Sequence, residues 1–91
     1  MKKITAYVTV LEAIGMLGNR TTIHNKLNKV HAGTDDTVLR DLLAKLILQL
    51  GTSSTHTSHT SVEHMGACKV TAAKIRKLCE SQRDSIHAAG V

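Results

Sequence analysis

The chain has 91 residues, 42% of them apolar, with twelve Lys and Arg against seven Asp and Glu for a formal net charge of +5. That is one small domain, or one subunit of an assembly. There is no Phe, Trp or Pro and only one Tyr, which excludes an aromatic core, and no apolar run reaches the ~18 residues of a membrane span.

The first predicted element is a helix over 4–17. Ile4, Tyr7, Val8, Leu11, Ile14 and Leu17 recur at steps of three and four, so they share one face. Gly18-Asn19 closes it, since both residues tolerate a left-handed backbone. The β-branched run Val8-Thr9-Val10 leaves a short initial strand as the alternative. The opening MKKITAYVTVLEAIGMLG has lysines before apolar residues, as a secretory leader would. Thr5, Thr9 and Glu12 interrupt the apolar stretch, and no small-residue cleavage site follows, so a cytoplasmic protein is expected.

A second helix spans 21–30, TTIHNKLNKV, with Thr21 or Thr22 as cap and Ile23, Leu27 and Val30 on one face. His31-Ala32-Gly33 breaks the pattern. A third helix follows Thr34, the expected N-cap, with Asp35 and Asp36 suited to the positive helix end. Val38, Leu39, Leu42, Leu43, Leu46, Ile47 and Leu50 make a wide stripe, so burial on more than one side is expected, and Gly51 ends the helix. Residues 52–66 are a polar segment, and 69–89 return to helix, with Thr71 as its expected cap. Val70, Ile75, Leu78, Cys79, Gln82 and Ile86 give that helix a thinner apolar face, and the tail AAGV frays.

The fold class is therefore mainly α: one compact four-helix domain, with 4–51 as helical core, 52–66 as a polar loop or short β-wing, and 69–89 as a C-terminal helix. Its core must be built from Leu, Ile, Val, Met and Ala, which bury less area each than aromatics at ~25 cal/mol per Å². A monomer of this make-up is marginal, so a homodimer is expected.

The portion TTIHNKLNKVHAGTDDTVLRDLLAKLILQLG resembles the core of a helix-turn-helix or winged-helix domain. Ile23 and Leu27, Gly33 in the turn, and Val38, Leu39, Leu42 and Leu46 carry the resemblance, which covers 21–51, or 4–66 if the polar segment is the wing. It implies duplex DNA as partner, with the third helix in the major groove. On that reading Thr37 and Arg40 meet base edges and phosphates, and Arg40 and Lys45 are the cations of the recognition helix. Asp35, Asp36 and Asp41 depart from this pattern, because carboxylates there repel phosphates.

A second basic surface lies on the last helix. Lys69, Arg76 and Arg83 recur every seven residues and form one ridge, flanked by Lys74 and Lys77, with Glu80 close enough to pair part of it. Arg20, Lys26 and Lys29 offer a backbone clamp from the second helix. No aromatic residues interleave with these cations, so base stacking on single strands is not expected. The expected function is a small nucleic-acid-binding regulator. The alternative is a helical protein-binding module, an inhibitor or adaptor that covers a partner protein. The acids of the third helix and the aliphatic surplus suit that alternative.

The polar segment holds three histidines and leads to a cysteine. His56, His59, His64 and Cys68 are all competent zinc ligands, but the paired spacing of a structural site is missing. A polar wing and a mobile loop are the other two readings. The two cysteines, Cys68 and Cys79, form no disulfide framework and are read as reduced thiols. With no glycine-rich phosphate loop, no nucleophile elbow and no carboxylate pair, neither an enzyme nor a cofactor is expected.

Overall fold

The computed structural model describes residues 2–16, 20–52, 61–64 and 68–89. They form four α-helices: α1 (Lys3–Gly15), α2 (Arg20–Gly33), α3 (Thr37–Thr52) and α4 (Cys68–Ala89), with one 3-10 turn at Val62–His64 before α4. The mainly α expectation holds. The short β-wing does not: among the described residues there is no strand, Thr52 ends α3, and 62–64 are helical. Residues 53–60 and 65–66, the remainder of that segment, lie outside the described residues.

The helices pack in a ring. Neighbours in sequence are neighbours in space, α1 on α2, α2 on α3 and α3 on α4, and α4 returns to α1 to close the circuit. The 3-10 turn braces both α1 and α4. The interior is aliphatic, as the composition demands. Val10 and Ile14 of α1, Ile23, Leu27 and Val30 of α2, Leu39, Leu43, Leu46 and Leu50 of α3, and Ile75 and Cys79 of α4 are essentially inaccessible. Val62 seals the end of the core from the 3-10 turn.

Helix ends differ from the sequence expectation for identifiable reasons. α1 is helical from Lys3, so the short initial strand does not form. It stops at Gly15, where Met16 turns to extended backbone and its N–H donates to the Ala13 carbonyl at 3.4 Å. Leu17, Gly18 and Asn19 lie outside the described residues. α2 begins at Arg20, one residue before the expected Thr21 or Thr22 cap, and runs through His31-Ala32-Gly33 rather than breaking there.

The α3 cap is Asp36, not Thr34. Its Oδ1 accepts the N–H of Leu39 at 3.0 Å, which satisfies one of the orphan donors of the first turn. Thr34 is buried, and its hydroxyl instead accepts the Asp36 N–H at 3.2 Å. In α4 the helix starts at Cys68, so Thr71 is an interior, buried residue and not a cap. Val70, expected on the apolar face of this helix, points to solvent.

Candidate functional site

The acid of the α3 cap has a second task. The Tyr7 hydroxyl donates to Asp36 Oδ2 at 2.7 Å, tying α1 to the start of α3. Burial alone would raise the Asp36 carboxyl. The N–H groups of Leu39 and Val38, the Tyr7 hydroxyl and the charge of Lys3 together hold it below its usual range. Burial, and then the Asp36 hydrogen bond and charge, push Tyr7 up to about 12. Asp36 is therefore a structural acid, committed to the cap and to the hydroxyl.

All four arginines are likewise engaged within the chain. Arg20 donates through Nη1 to the Leu50 carbonyl at 3.0 Å, covering the carbonyl end of α3, where a cation is favoured. Arg40 reaches back from α3 to the Thr34 carbonyl. Arg76 sits between two carboxylates, with Nη1 2.9 Å from Glu63 Oε1 and Nε 3.2 Å from Glu80 Oε1. Glu63 first and then Glu80 raise the Arg76 pKa. Arg83 pairs with Asp84 at 3.3 Å. Exposed pairs of this kind contribute little to stability. Their larger effect is on the field, because each arginine of the α4 ridge has an acid at its side.

The seven-residue spacing does align Lys69, Arg76 and Arg83 on one flank of α4. Arg76, Glu80 and Arg83 face Leu11, Ile14 and Gly15 of α1, with Glu63, across an open groove of about 300 Å³. Lys69 shares a second groove with Glu63, Ala73 and Arg76. The ridge is thus a mixed-charge strip. The sequence showed Glu80 four residues away, but Glu63 comes from the 3-10 turn, thirteen residues from Arg76.

The remaining cations are lysines. Among the described residues, Lys26, Lys29, Lys45, Lys69, Lys74 and Lys77 enter no ion pair with an acid. They are spread over α2, α3 and α4. On α2, His24 and Asn28 are occupied with each other at 2.9 Å.

A comparison of the chain with protein-family models, curated proteins and solved structures gave no match.

The outward face of α3 was missed in the sequence. Val38 and Leu48 are 57% and 67% exposed. Thr37, Asp41, Ala44 and Lys45 are exposed beside them, on the side opposite Leu39, Leu43, Leu46 and Leu50. This face carries one acid and one base, so it is neutral, and its ends are apolar.

The cysteines point inward. Cys68 is buried in the first turn of α4, where burial raises its thiol pKa against the opposing charge of Arg20. Cys79 is fully buried, and burial, then Asp36 and Glu80, push it up to about 12. Neutral, shielded thiols are poor nucleophiles and poor metal ligands. Of the considered zinc set, His56 and His59 lie outside the described residues, and only the backbone of His64 is described. Among the described residues no three His, Cys, Asp or Glu side chains converge on a metal position. No described helix is long and apolar enough to cross a membrane.

Proposed function

We propose that the chain is a helical protein-binding module, with the outward face of α3 as its contact surface. The observation that carries this reading is the exposure of Val38 and Leu48 on a neutral helix face. Apolar side chains flanked by a few polar groups gain by being covered, at ~25 cal/mol per Å². Engagement of all four arginines within the chain supports it from the other side. Arginine is the residue best suited to bidentate recognition of phosphates and bases, and here its forks are directed at the protein's own carbonyls and carboxylates.

The test is a photo-crosslinking residue at position 48, with position 25 on the exposed side of α2 as control. The reading expects a discrete polypeptide adduct from position 48 and none from position 25. Equal or absent adducts at both positions refute it.

The lysines favour a second reading, contact with duplex DNA. Lys26, Lys29, Lys45, Lys69, Lys74 and Lys77 are suited to phosphate contact as point charges, and Thr37 at the start of α3 is exposed. Anisotropy with a random-sequence duplex at two salt concentrations separates the readings. Six phosphate contacts would weaken binding by roughly a thousandfold between 50 and 200 mM salt. No binding at the lower salt removes this reading.

A further inference from the structure

The outward face of α3 is self-complementary, and we propose that it pairs with α3 of a second copy of this chain in antiparallel orientation. The inference rests on the protein-binding reading and names the partner.

Val38, Asp41, Lys45 and Leu48 follow one another at steps of three, four and three. That is the spacing of a helix–helix seam. The four positions are symmetric about residue 43. Val38 and Leu48 lie five residues either side of it, and Asp41 and Lys45 two residues either side. A two-fold axis through that point, perpendicular to α3, sets Val38 against Leu48 of the other copy and Asp41 against Lys45. Each copy contributes the same contacts, as an isologous interface requires. All four layers are matched, two apolar and two oppositely charged. The parallel alternative stacks Asp41 on Asp41 and Lys45 on Lys45, which like-charge repulsion disfavours.

The flank of the seam is small. Ala44 and Gly51 lie one position before Lys45 and Thr52, and among the described residues nothing outside its own helix approaches within 4 Å of where a Gly51 side chain would begin. Small flanking residues let two helix backbones approach closely. Among the described residues neither Asp41 nor Lys45 has an ion pair of its own, so both charges are available to the second copy. The face is short: from Val38 to Leu48 it runs about three turns or ~15 Å at 1.5 Å per residue. It offers fewer than the 20–30 residues a side of a standard interface. The dimer is therefore a weak, concentration-dependent one, to be sought from roughly micromolar to millimolar concentration.

Sedimentation equilibrium from about 5 μM to about 1 mM spans that range. Wild-type chain is expected to pass from monomer to dimer mass. Asp41→Lys and Lys45→Asp are each expected to remain monomeric, because each creates two like-charge contacts in the pair. An equimolar mixture of the two variants restores complementary contacts and is expected to dimerise, as is the Asp41→Lys/Lys45→Asp double variant. Bulk repulsion between cationic monomers makes the opposite prediction for Lys45→Asp, which lowers the net charge and would strengthen association. Both positions are exposed, and circular dichroism confirms that the variants fold. A wild-type chain that stays monomeric throughout, or a dimer indifferent to both charge reversals, overturns the inference. The crosslink from position 48 separates that failure from failure of the wider reading: an adduct with another polypeptide, without self-association, leaves the protein-binding surface standing and removes only the second copy as its occupant.

Discussion

Replacing Asp36 with Ala removes two structural roles at once. The first is the N-cap of α3, where Oδ1 accepts the Leu39 N–H at 3.0 Å. Loss of such a cap costs ~1 kcal/mol. The second is the 2.7 Å hydrogen bond from the Tyr7 hydroxyl, which is left without its carboxylate partner. A hydrogen bond to a charged group contributes ~1.5–3 kcal/mol. Together the loss is about 3 kcal/mol, and at ~4–8 °C per kcal/mol for a domain of this size Tm falls by roughly 12–24 °C. Tyr7→Phe keeps the ring and its packing, and is expected to cost about 1.5 kcal/mol alone. In the Asp36→Ala background the same change should cost nearly nothing, since the partner has already gone. Urea titrations of wild type, both single variants and the double variant give the coupling energy, expected near 1.5 kcal/mol. Additive effects, within ~0.5 kcal/mol, would refute the claim that one carboxylate joins α1 to α3.

Protonation should act on the same joint. The Asp36 carboxyl is held low in the folded chain, so the stability it contributes is complete above the usual carboxylate value of ~3.9 and is lost as pH falls through its folded value. Tyr7 and Cys79 are both pushed up to about 12, so the stability they contribute is complete below ~8.5 and is lost as pH rises towards 12. Thermal melts should show a plateau of Tm at intermediate pH, with an acid limb that weakens in Asp36→Ala. Leu46→Ala should destabilise by about 2–5 kcal/mol because its side chain is fully enclosed, while Leu48→Ala, at the same helix but outside the core, should shift the monomer's stability by less than ~0.5 kcal/mol. Both cysteines should react with a thiol reagent in urea at least about a hundredfold faster than in the native chain, and rapid native labelling of either would contradict their burial.

Steps of three and four revealed four helices, and the aliphatic composition revealed the nature of the core. Which side of α3 faces inward was harder to read. Apolar residues occur around most of that helix, and periodicity alone cannot choose among Val38, Leu39, Leu42, Leu46 and Leu48. The choice is made by α2 and α4, which flank α3 and enclose Leu39, Leu43, Leu46 and Leu50. The cap was ambiguous for a similar reason. Thr34, Asp35 and Asp36 are all capping types, and the selection depends on Tyr7, twenty-nine residues earlier. The basic ridge of α4 was read from helix geometry, but its neutralisation depends on Glu63, which only the folded chain brings to Arg76. Local pattern reports an element, and a distant partner decides what each face of it does.

The closure of α4 onto α1 has a consequence for how the chain is made. The pairs α1–α2, α2–α3 and α3–α4 each join consecutive segments, so they form at small loop-closure cost. The α1–α4 pair joins the first and last helices of the ring, and it cannot form until α4 has left the ribosome. During synthesis the inward sides of α1 and α3 are both bared along the edge that α4 will occupy. The apolar residues on those two sides are thus exposed in the nascent chain, and a chain arrested before Cys68 would present them to a chaperone rather than to α4.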